Sequence, residues 1–482
     1  MRRAWVGLAV LLAAGCARFQ DRPLSAEKSL DAFERRTLAD AGLKTFAQAN
    51  HATEWPPASW DLESLTLAAF YFHPDLDVAR AQAATAKAAI KTARERPNPT
   101  FSFVPEYNKT VAESDVVPKI SPWSYTYSLD IPIETAGKRG YRIAQASRLT
   151  EAARWKIASA AWEVRNRLRQ SLLELYAAAE TERSLSEQMA IQTDNVSLLE
   201  MQLEAGAVSP FEVSQARIAL HNSQLSLADA QRQRAEARAK VADALGVPLH
   251  ALDGVEFSFE EFKPLPSAPS TPELRRQAAL NRADLRSAME EYAATQSALQ
   301  LEIAKQYPDI NLGPGYQWDK GEKIWSLALS AMLPVFSQNQ GGIAEAKARR
   351  EEAAAQVNAL QARILGEVDR AAAGYSGAVA KAATADTLME DLRKRERLAQ
   401  SMYEAGETLK LDWAAAQLEV AANALARLTI QVEAQQALGR LENALQSPVQ
   451  ISAESLKALE TEPAGDKEVA EPKDKQVKTH EQ

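Results

Sequence analysis

Two hydrophobic periods alternate along this chain, and the change from one to the other locates its elements. In TFSFVPEYN (100–108) Phe101 and Phe103 alternate with polar or small neighbours, and in WSYTYSLDIPI the odd positions Trp123, Tyr125, Tyr127, Leu129 and Ile131 are all apolar or aromatic. Such alternation marks a strand with two chemically different faces. It returns at Ile310, Leu312, Tyr316 and Trp318, passes the turn Asp319-Lys320-Gly321-Glu322, and continues through Trp325, Leu327, Leu329, Ala331 and Leu333. Strands are therefore predicted at 100–108, 123–133, 309–318 and 324–335. Their lengths suit the roughly 9–11 residues that a tilted strand needs to cross a bilayer. Aromatics crowd toward the turn ends, as in the interfacial girdles of outer-membrane barrels. The competing reading is a soluble sheet with one face on a core.

Elsewhere the period is helical. A helix is predicted from near Ser59 to about Arg96, where Pro97 and Pro99 stop it. From Lys138 to Leu203 there is no proline, and the only glycine is Gly140, so one helix there reaches about 100 Å at 1.5 Å per residue. Gly342 to Tyr403 likewise contains no proline and predicts a second long helix. A helix this long has no compact core to rest on and must pack along a bundle. After AGAVSP (205–210), Phe211, Ile218 and Leu225 recur every seven residues, joined by Val213, Leu220 and Leu227; after AGETLK (405–410) come Leu411, Leu418 and Leu425. Seven-residue seams predict antiparallel coiled-coil hairpins with tips at 205–210 and 405–410.

The chain thus says nearly the same thing twice. Residues 73–108 lie without a gap over 282–317, with Asp75/Asp284, Leu76/Leu285, Pro99/Pro308, Pro105/Pro314 and Tyr107/Tyr316 coinciding. IPIETAGKRGYRIAQA (131–146) then meets LPVFSQNQGGIAEA (333–346). The expected organisation is a first structural repeat over 58–247, a Pro-rich connector over 248–272 and a second repeat over 273–447. A charged tail, 448–482, is expected to be disordered.

The first residues supply an address. Arg2 and Arg3 precede the apolar run AWVGLAVLLAAG, which is too short to span a bilayer and reads as a signal peptide over 1–15. Its end, Leu12-Ala13-Ala14-Gly15-Cys16, resembles the bacterial lipobox, so Cys16, the only cysteine, is the expected lipidation site. A lipidated arm would follow over 16–57, and Ala17 rather than Asp after the cysteine favours the outer membrane. The net charge of −8 and the lack of a basic patch argue against nucleic acid as a partner. Catalysis finds no footing: His51, His73, His221, His250 and His480 are scattered, without HExxH or metal-ligand spacing. His73, before Pro74, is expected at a helix break, and GKRG (137–140) at a strand-to-helix turn rather than in a phosphate loop. No catalytic, cofactor-binding or metal site is expected beyond the covalent lipid.

The whole mature chain resembles the TolC-type outer-membrane efflux family. RPNP before the first strand, P-x-E-x-x-GKR after the second, AGAVSPFEVSQAR at one tip and LPVFSQNQGGIAEAKA after the fourth strand resemble its heavy-metal cation branch. The resemblance implies a mainly α protomer with a membrane β-barrel portion, built of duplicated helical and β hairpins. Three protomers would pool four strands each into a 12-stranded barrel continued by a periplasmic α-helical barrel. Physical reasoning asks for the same closure, since a four-stranded sheet in lipid leaves two edges of unpaired N–H and C=O groups. The implied function is the passive outer-membrane conduit of a tripartite pump, for heavy-metal cations. Its implied partners are a homotrimer, outer-membrane lipid, a periplasmic adaptor (membrane fusion) protein and a proton-driven inner-membrane efflux pump.

Site residues follow by position. Tyr403 and Asp412 match a tyrosine and an aspartate of the family's closed gate, whereas Thr408 and Ala415 stand where an arginine and a second aspartate would be. A competing reading makes Asp412 a helix cap. The adaptor would meet Ala205, Gly206, Val208, Ser209 and Pro210 at one tip and Ala405, Gly406, Thr408, Leu409 and Lys410 at the other. Two other readings stay open: a conduit for drugs or type I protein secretion, and a lipid-anchored coiled-coil scaffold without a pore.

Overall fold

The computed structural model describes residues 19–50, 55–109, 121–267 and 270–448. Cys16, His51, His480 and the tail from 449 onward lie outside the described residues. Two short helices, α1 (Ala26–Glu34) and α2 (Ala41–Ala49), form the N-terminal arm. The first repeat follows as α3 (Leu62–Phe72), α4 (Pro74–Arg94), β1 (Thr100–Tyr107), β2 (Trp123–Ile133), α5 (Lys138–Glu204) and α6 (Pro210–Leu245). The second runs α7 (Thr271–Asn281), α8 (Ala283–Ala304), β3 (Ile310–Asp319), β4 (Glu322–Ala331), α9 (Gln340–Glu404) and α10 (Lys410–Leu445).

The single helix expected from Ser59 to Arg96 is two helices. Pro74 drives the preceding residue into the extended region, and His73 sits there with ψ of 124°. The break is finished locally, since the Asp75 amide donates to His73 Nδ1 (3.2 Å) and Pro74 occupies the first turn of α4, where it needs no N–H partner. Gly246, in the left-handed conformation at the end of α6, lies against this break. A Cβ there would stand 3.0 Å from His73 Cα and 3.1 Å from the Phe72 carbonyl oxygen. Strand β4 stops four residues before the expected end, at Ala331, because its partner β3 begins at Ile310, opposite Ala331, and leaves the later residues nothing to pair with.

Helix α5 is the axis of the molecule. It packs against α6, its hairpin partner, and against α4, α8 and α10, so both repeats meet along it. At mid-height Leu168, Leu172 and Leu173 of α5 join Leu65, Leu76, Val241 and Leu245 in one core, which the connector closes with Leu252 and Phe262. A second core gathers Leu274, Leu285, Ile364, Val368, Tyr375, Leu438 and Leu441 from α7 to α10. Each such side chain contributes about 1.5–3 kcal/mol by leaving water.

The connector straps the two cores together. Gln435 of α10, fully buried, donates to the carbonyls of Phe262 (3.0 Å) and Pro264 (2.8 Å), and Tyr375 Oη donates to the Pro266 carbonyl (2.6 Å). Arg169 of α5 donates to Gln435 O and Oε1, both at 3.0 Å, pairs with Glu442 (3.3 Å) and lies over the Phe262 ring. Burial lowers the Arg169 guanidinium from its ordinary value, against the raising effect of Glu442. Gly439 leaves the space this guanidinium fills, because a Cβ there would overlap Arg169 Nη1.

Candidate functional site

The four strands form one antiparallel sheet in the order β1-β2-β3-β4, with β2 and β3 joining the repeats. Register then sorts the side chains. Phe103, Tyr127, Tyr316 and Trp325 stand in one cross-strand row, and Ile133, Ile310 and Ala331 in another on the same face. The opposite face carries the rows Ser102, Ser128, Gly315, Ser326 and Glu106, Ser124, Asp319, Glu322. One face is apolar and aromatic apart from Lys323 beside the turn; the other is mostly polar, small or acidic, with Val104 and Ile324 its large apolar side chains. Among the described residues nothing covers the apolar face along β4, where Trp325 is 80% exposed, Leu327 70% and Leu329 72%. Among the described residues no core is packed against that face.

Aromatic rings link across the turn end. Tyr107 meets Trp123 at 5.0 Å, Trp123 meets Tyr125 at 6.1 Å, Tyr125 meets Trp318 at 5.7 Å and Tyr316 meets Trp325 at 4.8 Å. A band of this kind suits a lipid–water interface. No helix among the described residues is long and apolar enough to cross a membrane.

At the other end of the sheet the chain turns into the long helices. GKRG forms that turn: Gly137, with φ of +73°, precedes the first residue of α5. Lys138 is buried there, donating to Asp309 Oδ1 and the Tyr307 carbonyl, both at 2.7 Å. Burial pushes the Asp309 carboxyl up, but the Lys138 ammonium and the Thr135 amide outweigh it and hold the group below the usual carboxylate range.

The tips lie at the far ends of the hairpins. At the first, Gly206 takes φ of +72° and Ser209 forms a reciprocal capping box with Glu212, the Ser209 amide reaching Glu212 Oε2 at 2.8 Å. At the second, Gly406 takes φ of +75° and the Leu409 amide donates to Asp412 Oδ2 (3.2 Å). Leu409 offers no side-chain acceptor, so Asp412 supplies half a capping box. Ala205, Gly206, Ser209, Pro210, Ala405, Gly406, Leu409 and Lys410 are exposed, whereas Val208 and Thr408 are half-buried.

The structure does not bring the gate candidates together. Tyr403 stacks on Trp413, with centroids 5.6 Å apart, and Trp413 Nε1 donates to Glu396 (3.0 Å). No hydrogen bond joins Tyr403 to Asp412 among the described residues, and Thr408 Oγ1 finds no partner. Within the protomer Asp412 acts as the helix cap that the competing reading foresaw.

One seam was misassigned. Val213 is buried and Leu220 and Leu227 half-buried, but Phe211, Ile218 and Leu225 are 68%, 58% and 71% exposed. The two stripes lie on opposite sides of α6, and only the first faces this chain's own helices. Two apolar stripes on one helix signal a second partner, and their spacing was visible in the sequence. The histidines stay apart, and no group of three or more His, Cys, Asp or Glu side chains among the described residues is placed to hold a metal.

Comparison with known proteins agrees with this geometry. The chain is 25% identical over 281 residues to the cobalt-zinc-cadmium resistance protein CzcC of Cupriavidus metallidurans, covering 58% of this chain and 64% of that protein. It is 27% identical over 324 residues to the nickel-cobalt-cadmium resistance protein NccC of Alcaligenes xylosoxydans xylosoxydans, covering 65% and 67% respectively. The matched region thus spans just under two thirds of CzcC. The fold is shared with the Campylobacter jejuni CmeC outer membrane channel at a TM-score of 0.64 and 17% identity, covering 92% of this chain and 97% of that one. Residues 71–247 and 274–446, which take in most of both repeats, match the sequence profile described as outer membrane efflux protein, and the chain belongs to that family.

Proposed function

We propose that three copies of this chain form the outer-membrane conduit of a tripartite exporter of heavy-metal cations. The observation that carries the reading is the sheet, with one lipid-compatible face, one polar face and two open edges. Joining β4 of each protomer to β1 of the next closes twelve strands, removes every edge and leaves a water-filled interior. The exposed Phe211–Ile218–Leu225 stripe of α6 supplies the matching contact along the helices.

Energy comes from elsewhere. The exposed tips meet a periplasmic adaptor, the adaptor meets a proton-driven inner-membrane pump, and acylated Cys16 anchors the arm in the outer membrane. Cation cargo is supported by the two resistance-protein relatives and by the polar face itself, which carries Glu106, Asp130, Asp319 and Glu322 and no lysine or arginine. Weak, like-signed sites of this kind attract cations without holding them. Deleting the gene should lower the tolerated concentration of cobalt, zinc, cadmium or nickel, with restoration by the wild-type chain. Unchanged metal tolerance together with lost drug tolerance would move the cargo to organic compounds.

A further inference from the structure

The foot of the sheet holds a groove that neither the conduit nor the tips use. Ile133, Ile310 and Ala331 form the last row of the apolar face. Beyond it Thr135 ties β2 to the start of β3, its Oγ1 donating to the Pro308 carbonyl (2.6 Å) and its amide to Asp309 Oδ1 (2.9 Å). Beside these bonds opens a groove of about 600 Å3 lined by Thr135, Ala136, Tyr307, Pro308, Ile310 and Ala331. Its lining is almost wholly apolar, and Tyr307, 61% exposed, stands at its lip.

The groove continues the lipid-facing surface. It lies over the feet of β2, β3 and β4, at the joint between repeats, and protomers adding edge-on at β1 and β4 would extend the sheet in its own plane and leave this face open. Basic side chains stand at the end of α4 and the start of α5. Lys138 is neutralised by Asp309, and Arg142 by Glu134 (3.0 Å). Arg94, Arg96 and Arg139 have no carboxylate partner among the described residues, and Glu95 is the one acidic side chain between Arg94 and Arg96. Arg139 Nε donates to the Arg94 carbonyl (2.7 Å) and Arg142 to the Glu95 carbonyl (3.4 Å), which gathers these groups at one level of the molecule. The corresponding turn of the second repeat, LPVFSQNQGGIAEA, contains no lysine or arginine.

We propose that each protomer binds one anionic glycerophospholipid of the periplasmic leaflet here. An acyl chain lies in the groove against Tyr307, Ile310 and Ala331, and the phosphodiester accepts from Arg139, with Arg94 and Arg96 adding to the field. Arginine suits this task because its planar fork matches phosphate oxygens. The apolar groove supplies affinity and the unpaired arginines supply headgroup preference. The inference rests on the outer-membrane reading of the preceding subsection.

Native mass spectrometry of the detergent-purified assembly, titrated with phosphatidylglycerol or phosphatidylethanolamine, tests it. Up to three phosphatidylglycerol molecules per trimer should be retained in preference to phosphatidylethanolamine. Arg96→Gln with Arg139→Gln should weaken phosphatidylglycerol about tenfold, the loss of one charge-assisted contact, and remove the preference. Ala331→Phe, which fills the groove from a lipid-facing position, should reduce retention of both lipids. Equal retention of the two lipids, unchanged by either variant, would overturn the proposal. So would a large rise in phosphatidylglycerol uptake on Cys16→Ala, which would make the chain's own acyl group the occupant. Conductance separates this from the broader reading: a conducting trimer without lipid preference sinks only the lipid site, whereas a non-conducting monomer sinks the channel as well.

Discussion

Glu261 offers the sharpest test of how the connector holds the two repeats. It lies in the short turn Glu260–Phe262, accepts a hydrogen bond from the Leu62 amide (3.3 Å) through Oε2, and leaves Oε1 buried without a partner. Around it stand Asp61 and Glu63 at the start of α3, Arg165 and Arg169 of α5, and Glu442 of α10, which pairs with both arginines. Burial pushes its carboxyl up from 4.5 to about 7; Asp61 adds to this, and the Leu62 amide and the two arginines act against it. The folded state therefore holds the proton more tightly than the unfolded chain. Stability from this group is fully present below about pH 4.5 and is lost as pH rises to about 7, after which it changes no further. At 1.36 kcal/mol per unit the whole shift is roughly 3 kcal/mol, and partial exposure reduces it to roughly 1–3 kcal/mol. Glu261→Gln keeps an oxygen for the Leu62 amide and removes the titration. The variant should melt about 1–3 °C above wild type at pH 8 and match it near pH 4.5, read by tryptophan fluorescence during heating in detergent. A variant no more stable at pH 8, or an advantage that persists unchanged at pH 4.5, would refute the assignment of a strained carboxylate.

Other outcomes follow from named contacts. Gly439→Ala drives a methyl group into the Arg169 guanidinium and should destabilise by about 1–3 kcal/mol, whereas Gly374→Ala, which meets nothing, should leave the melting temperature unchanged or raise it. Leu327→Arg places a charge on the lipid face and should cost about 2–4 kcal/mol in a folding titration into bilayers. Glu322→Lys, on the polar face, should leave folding intact and shift reversal potentials toward anions. Cysteines at Ala205 and Lys410 should crosslink to a co-expressed adaptor, and one at Asn222, exposed on the flank of α6, should not; crosslinking at Asn222 alone would remove the tips from the interface.

Much of this architecture was legible because two periods cannot be confused over long stretches. Trp123 to Ile131 and Trp325 to Ala331 alternate without exception, and no helix places every second residue on one face. Gly206 and Gly406 marked the tips because each takes a positive φ that few other residues accept. What stayed hidden depended on which face meets which neighbour. Phe211, Ile218 and Leu225 read like any other heptad stripe, and only the packed protomer shows that α5 takes Val213 instead. Nothing in the spacing of Arg165 and Arg169 tells that α10 and the connector bury them. Tyr403 and Asp412 were placed by resemblance, and neither spacing nor charge could show that Trp413 would take the tyrosine ring.

The central claim is that copies of this chain close into a pore. Single-channel recording of the purified protein in a planar bilayer tests it most directly. The account expects discrete, cation-preferring conductance steps from a detergent-requiring trimer, with a larger step in Asp412→Ala if a ring of these carboxylates lies at the narrowest point. A Cys16→Ala chain that is monomeric, soluble without detergent and silent in the bilayer would contradict it and leave a lipid-anchored scaffold in its place.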